Sequence, residues 1–554
     1  MRKLLLATVA ALGVTTGYGA AYAQQADDSG QSTVSAFGGT ATGPVQAPGT
    51  LVVRLNGRIY SQGGILNAGN ADGTYNYNSA TGKASEVPFI QGVANAGTAL
   101  APTLLPAFFG TAAQATAMGL KPSGVGQNVA VQAGNPSTNK LANYGIYSYF
   151  RLYPGFDGIA ANGLKYGAGV EIRQDGNYAT GGGIYTSQSA NTAAQGRLYV
   201  RRAWGYAGTD QLGIVRFGAT DGPSGLFMVG NNENFGDGGW NGSMAAYLPG
   251  QLWMYWPFAD SGNLYTTQKV MYLSPAFAGF DFGVAYEPSL ADVQGAAVGQ
   301  GCNSAGSYAT ATYIGGGPSV AGAGCTALSS TTTGDYTRRR NTVDVAARYR
   351  GLFGPVGFAA YVNYVGGGQV ADHMVAAHSE VDGLSVGAGG AQVTYGGLTL
   401  GAMAMGGRQN FNSWTLAPKG GSDGVAWEAG GSYTYGPLVV GAHFYQYYSA
   451  GNSGPAFNPD GTATGKLASV GQMRETGFAA GATYSVAPGF ALNLTYIWGE
   501  RAENGYDFLT GETSYAASAA NNTGCSAINA TATSACLHNK VTSSGLMLGA
   551  QLTW

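Results

Sequence analysis

The sequence predicts an all-β chain: a transmembrane antiparallel up-and-down β-barrel of sixteen strands. Three observations predict it. Apolar and polar residues alternate with period two in segment after segment, as they must where one face of a strand is greasy and the other wet. The connections between those segments alternate long and short. The composition suits a wall in which only every second residue has to be apolar.

The composition is unlike that of a soluble protein. Charged residues make up 10% of the chain, against about 25% in an average globular domain. There are 93 glycines among 554 residues, more than twice the usual share of about 7%. Tyrosine is abundant at 35, and mean hydropathy is near zero. Beyond the N-terminus no run of about 18 apolar residues marks a spanning helix. A net charge of -2 leaves no basic excess to neutralise phosphates, which excludes a nucleic-acid binder. The length alone would suggest several soluble domains, but a large barrel is one domain.

The first residues read as a secretory signal. Arg2 and Lys3 precede an apolar stretch from Leu4 to Val14, too short to span a bilayer, and Ala21-Tyr22-Ala23 offers small residues for cleavage before Gln24. Residues 1–23 are therefore expected to be removed. Residues 24–49, rich in Gln, Ser, Gly, Ala and Pro, form a flexible leader. The barrel is expected over 50–554.

Strand patterns begin at Leu51. In Leu51–Ile59 the odd positions carry Leu, Val, Leu, Gly and Ile, and the even ones Val, Arg, Asn and Arg. In 164–173, Leu164, Tyr166, Ala168, Val170 and Ile172 share one face, and Lys165, Glu171 and Arg173 the other. At the C-terminus Leu546, Leu548, Ala550, Leu552 and Trp554 alternate with Met547, Gly549, Gln551 and Thr553. The sixteen strands are expected near 51–60, 142–153, 163–174, 196–207, 212–218, 264–273, 279–287, 340–350, 355–365, 384–395, 398–407, 425–435, 438–448, 474–485, 490–500 and 541–554. Every odd strand is followed by a long segment, the first an insertion over 61–141. Every even strand is followed by a short one, such as Tyr435-Gly436-Pro437-Leu438. Short turns on one side of a membrane and long loops on the other produce this alternation, and a Greek-key sandwich has no reason to. Ala99–Leu120 leans apolar, but Pro102 and Pro106 argue against a spanning helix, and the stretch reads as a loop insertion with room for a short helix on or in the pore mouth.

Here the chain resembles a known family. Arg201-Arg202-Ala203-Trp204-Gly205-Tyr206-Ala207-Gly208, followed by Gly213-Ile214-Val215-Arg216-Phe217-Gly218, is similar to the paired strands before the constriction loop of the general bacterial porins. Val270-Met271-Tyr272-Leu273-Ser274-Pro275-Ala276-Phe277-Ala278-Gly279-Phe280 resembles that family's Tyr-x-Ser-Pro-x-Phe-x-Gly-Phe hairpin. The terminal aromatic matches too, as Trp554 where the family usually has Phe. Ala219 departs from the pattern, standing where a basic residue is frequent. The acidic Pro-Glu-Phe-Gly element of enterobacterial members has only Glu233-Asn234-Phe235-Gly236-Asp237 near it. The resemblance implies a homotrimer in the Gram-negative outer membrane, in contact with lipid and lipopolysaccharide. It implies an inward-folded third loop and a C-terminal aromatic, Trp554, that signals to the barrel-assembly machinery.

On this reading the third long segment, 219–263, supplies acids to the constriction: Asp221, Glu233, Asp237 and Asp260. The polar faces of the early strands supply bases: Arg54, Arg58, Arg151, Lys165, Arg173, Arg197, Arg201 and Arg216. Acid facing base across a wet gap creates a field that orients polar solutes. Tyrosines recurring near strand ends, such as Tyr60, Tyr153 and Tyr286, suit an interfacial girdle, although strand propensity alone also enriches them.

Nothing points to bond chemistry. His373 and His378 read as solvated loop residues, and His443 alternates with Gly441 and Tyr445 on the expected lumen face. No ligand motif, Ser-His pairing or phosphate loop accompanies them, so no metal, cofactor or catalytic residue is expected. Cys302 with Cys325 and Cys525 with Cys536 form two local pairs in long segments, expected as loop disulfides. The expected function is passive diffusion of small hydrophilic solutes and ions. A sugar-type specific channel, to which Trp240, Trp253 and Trp256 would lend an aromatic surface, stays open, as does a surface structural protein or adhesin.

Overall fold

The computed structural model describes residues 48–68, 144–174, 198–242, 254, 256–258, 267–289, 339–369, 381–411, 416–457, 463–469, 471–503, 506 and 540–554, together with the strand pieces 75–78, 83–86, 93–94 and 103–104. The signal and most of the leader, Arg197, Asp260, Trp253, His373, His378, the four cysteines and nearly all of 99–120 lie outside the described residues.

Sixteen strands form one closed barrel. They are β1 Thr50–Ala68, β2 Tyr144–Ile159, β3 Lys165–Gln174, β4 Tyr199–Thr209, β5 Gly213–Thr220, β6 Thr267–Leu273, β7 Phe280–Ser289 and β8 Arg339–Phe353. Then come β9 Val356–Gln369, β10 Leu384–Tyr395, β11 Leu398–Arg408, β12 Gly424–Tyr435, β13 Leu438–Ser449, β14 Met473–Ala487, β15 Phe490–Glu503 and β16 Lys540–Thr553. Each pairs antiparallel with its neighbours in sequence, and β1 closes on β16. Closure leaves no unpaired edge, the condition for strands to cross a bilayer. The short turns after β8, β10 and β12 open on Gly354, Gly396 and Gly436, whose φ of +62°, +58° and +55° suits glycine.

Two strands differ from expectation in length. β1 runs on to Ala68, because Ile65–Leu66–Asn67 still pairs with β16. β2 continues through Pro154-Gly155 to Ile159, beyond the end expected at 153. Proline brings no N–H to a ladder. The β2–β3 register passes from Leu152↔Ile172 to Gly155↔Gly169, so Tyr153 and Pro154 sit in a gap on that side.

Alternation fixes the two faces of the wall. Leu51, Val53 and Leu55 are more than half exposed, whereas Arg58, Tyr60 and Gln62 are buried. Leu546, Leu548 and Leu552 stand outward on β16, and Met547 is buried between them. An exposed belt of this extent belongs in hydrocarbon. The interior is divided. The inner faces of β1–β5 carry Arg58, Arg151, Arg173, Arg201, Arg202 and Arg216, all buried. Those of β9–β16 carry much of an apolar cluster that includes Tyr361, Val386, Met403, Tyr445, Ile497 and Met547.

Candidate functional site

The basic sector is built by strand register. Arg58 of β1 is the direct partner of Arg151 of β2, and Arg151 is the direct partner of Arg173 of β3. Three guanidinium-bearing residues thus stand side by side at one height. Like charges opposite one another repel. Two features offset this. The Tyr149 ring lies 5.3 Å from the Arg58 guanidinium and 4.5 Å from that of Arg151, and an aromatic face attracts cations. Glu171, one step along the inner face from Arg173, pairs with Arg173, with Arg201 at 3.1 Å and with Arg202 at 3.2 Å. One carboxylate therefore serves three guanidinium groups.

The sequence reading placed Arg201 on this wall but not Arg202, since neighbours in a strand face opposite ways. A register shift resolves the matter. Glu171 pairs with Arg202, yet Ile172 pairs with Val200, which leaves Arg201 as the extra residue of a β-bulge. Both arginines then turn inward, where the Arg201 side chain is 4% and the Arg202 side chain 1% exposed. Arg216 stacks on Trp204 at 4.0 Å. The other two expected bases among the described residues, Arg54 and Lys165, lie elsewhere on the inner face. Arg54 pairs with Asp157 at 2.6 Å, in a knot that Tyr206 joins through its hydroxyl. Lys165 pairs with Asp210 at 2.6 Å, at the rim by the short turns, with both groups partly exposed.

The third long segment leaves β5 at Asp221, which pairs with Arg202 at 2.6 Å. A four-residue helix, Pro223–Leu226, follows. Ser224 donates its hydroxyl to Asp344 of β8 at 2.8 Å. Asn232 donates to the Gly401 carbonyl of β11 at 2.9 Å, and Asn234 to the Ser432 hydroxyl of β12 at 2.7 Å. The Trp240 N–H donates to His443 of β13 at 3.3 Å, Thr483 of β14 donates to the Gly236 carbonyl at 3.3 Å, and the Asp237 N–H donates to Thr495 of β15 at 2.9 Å. The segment thus touches wall residues from β8 round to β15. Glycine makes the close approach feasible: a Cβ on Gly441 would overlap the Phe235 ring, and one on Gly239, at φ +63°, would overlap the His443 imidazole. Of the expected acids, Glu233 accepts from Asn241 at 2.9 Å, and Asp237 is held by its backbone as described.

The match that decides the family is a sequence model described as "Gram-negative porin", which fits residues 68–504. The chain belongs to the Gram-negative porins. As a porin it is an outer-membrane channel for passive diffusion of solutes, and the family consists of channel proteins rather than enzymes. No curated protein matches the sequence. Among solved structures, the porin is similar to the anion-selective porin from Comamonas acidovorans, at 11% identity, covering 91% of this chain and 100% of that one with a TM-score of 0.41. It is similar to OmpF of Salmonella typhi at 11% identity, with 91% and 97% coverage and a TM-score of 0.43. It is also similar to the outer membrane channel DcaP of Acinetobacter baumannii at 11% identity, with 92% and 99% coverage and a TM-score of 0.40.

Two contributors to the porin's interior escaped the sequence reading. Glu171 was visible on the polar face of β3, but its role as the shared partner of three arginines depends on register. His443 was placed on the lumen face without a task. Trp240 and Trp256, expected as a possible aromatic surface, are 2% and 4% exposed and pack against Tyr445 at 5.8 and 4.8 Å.

Proposed function

We propose that this porin is a general diffusion pore, trimeric in the membrane. Its narrowest point lies between the arginine sector of β1–β5 and the inward-folded segment that begins at Asp221. The observation that carries the reading is the division of the inner wall. Bases gather on one side, and the third long segment is fastened along the other by side-chain and backbone bonds. Water confined between protein walls screens charge less than bulk water does, so a transverse field forms in the gap. In this reading Glu233, Asp237 and Asp260 supply its negative side. Arg58, Arg151, Arg173, Arg197, Arg201 and Arg216 supply its positive side. Asp221 is held within the basic sector by Arg202, and Arg54 and Lys165 act nearer the short-turn rim.

Burial of Trp240 and Trp256 disfavours a sugar-specific channel, because an aromatic track has to show ring faces to the solute. The porin is proposed to be exported by residues 1–23, to carry a periplasmic leader over 24–49 and to present its long loops, with both disulfides, outside. Trp554, whose backbone N–H donates to the Gly57 carbonyl at 3.1 Å and whose ring stacks on Phe150, suits the role of terminal assembly signal. Liposome swelling tests the function. A general pore passes sugars and amino acids of similar size at similar rates, a specific channel passes one class far faster, and an adhesin passes none.

A further inference from the structure

His443 is fully enclosed at 1% exposure, on the inner face of β13 between Gly441 and Tyr445. Both ring nitrogens meet backbone atoms of the third segment. The Trp240 N–H points at Nε2 from 3.3 Å. An N–H can only donate, so Nε2 must offer its lone pair. Nδ1 lies 3.0 Å from the Asn232 carbonyl oxygen, which can only accept, so Nδ1 must carry the proton. Two backbone groups of opposite polarity, eight residues apart, thus select one neutral tautomer. The ring is sandwiched as well. Trp256 stacks on it at 5.0 Å and 20°, and Phe235 meets it edge-on at 5.5 Å. Gly239 supplies the space a side chain would take from the imidazole. Four parts of the segment, at Asn232, Phe235, Gly239–Trp240 and Trp256, therefore converge on one side chain of the wall.

We propose that His443 is the positioning residue that seats this segment, acting only as the neutral Nδ1–H imidazole, and that protonating it unseats the segment. This rests on the reading of the segment as the constriction. A proton on Nε2 would face the Trp240 N–H, replacing an attraction with two opposed donors, and would place a charge among aromatic rings. Other titratable groups surround the ring and will respond to acid on their own account. They are Tyr445 on the same strand, Glu428 on β12 bonded to Asn232, Glu475 on β14 within reach of the Tyr445 hydroxyl, and Glu233 on the segment. The test must therefore compare variants across a pH range rather than rely on one acid measurement.

Single-channel recordings of the full-length trimer in planar bilayers provide that comparison. For the wild type, the frequency of current interruptions is expected to rise about tenfold between about pH 7.5 and about pH 3.5, since an enclosed imidazole gains its proton only in stronger acid than a solvated one does. His443→Phe keeps a ring but loses both bonds, so it should interrupt often at neutral pH and change less than about twofold across the range. A wild-type profile in His443→Phe overturns the proposal. Should that variant fail to fold, the wild-type protein labelled with nitrogen-15 histidine gives an independent readout. Nuclear magnetic resonance at neutral pH must show one histidine locked with its proton on Nδ1, and a signal from the Nε2–H form alone overturns the pin. If the locked tautomer is seen and titrates while the current stays unchanged, the unseating step fails together with the placement of the segment at the narrowest point.

Discussion

Arg58 and Arg151 face each other directly across the β1–β2 pair, with the Tyr149 ring against both guanidinium groups. A folded wall tolerates two like charges in register only where compensation is close or where the charge serves solutes. Replacing both by glutamine should remove the repulsion between them and leave folding intact. It should also shift the reversal potential across a salt gradient toward cations, by a several-fold change in the permeability ratio. An unchanged ratio in the correctly folded double variant would place the row away from the ion path.

Glu171 works in the opposite sense. Its carboxylate is the shared partner of Arg173, Arg201 and Arg202. Glu171→Gln would leave three buried guanidinium groups short of their counter-charge, which costs about 3–5 kcal/mol when one partner of a buried pair is lost. The variant should lose its folded form at a lower temperature, measured as the heat-induced mobility shift of the barrel on a detergent gel. In those molecules that fold, permeability should move toward anions, because the wall has lost a negative charge. A variant as heat-resistant as the wild type would refute the role.

Why the barrel was legible and the site only partly so follows from the range of each signal. Period-two alternation is local, so every strand announced itself in a handful of residues, and the long/short rhythm of the connections followed from membrane crossing. Arg202 did not announce itself, since a β-bulge breaks the alternation by one residue and is set by pairing with β3, not by the residues of β4. Pro154 lay past the expected end of β2 at 153, and the strand runs through it because a missing N–H matters only if the neighbouring strand needs it, and here the β2–β3 ladder has a gap. The bond from Asn234 to Ser432 joins residues 198 positions apart, and no local pattern foretells it.

The seat of the third segment predicts a further effect. Gly441 lies on the inner face of β13 against the Phe235 ring, where a Cβ would collide. Gly441→Val should push Phe235 off the wall and disturb the Asn234–Gly236 stretch, at a cost of about 1–3 kcal/mol for overpacking. Single-channel conductance should change while the barrel still assembles, as judged by the same gel assay. Normal conductance in an assembled variant would show that Phe235 does not hold the segment in place.

The disulfides are expected within single outer loops, Cys302 with Cys325 and Cys525 with Cys536, because each pair is local in sequence. A closed loop of this size contributes about 3 kcal/mol by the chain-entropy model. The effect falls on loop order, since the barrel's closure depends on its ladders. Peptide mapping without reductant should recover both local pairs, and free thiols or crossed pairing would reject them. Reduction should then raise protease cleavage in the loops and leave the barrel's resistance to heating unchanged.

Acids on the segment give the last test. Glu233 is buried and accepts from Asn241, and Asp237 is fixed at its backbone by Thr495. Glu233→Gln with Asp237→Asn keeps the size of both side chains; Gln keeps an oxygen to accept from Asn241, and the Thr495 bond is made by the backbone N–H of residue 237, so both bonds can persist. Only the negative charge is removed. If these acids form the negative side of the gap, the reversal potential must move toward anions, opposite to the shift from Arg58 and Arg151, and combining all four substitutions should bring the ratio back toward that of the wild type. Charges in one narrow gap also act on each other, so the combined shift should depart from the sum of the two. Additive shifts would mean that acids and bases line separate parts of the path. No shift from the acid pair would remove Glu233 and Asp237 from the constriction and leave the arginine row to set selectivity alone.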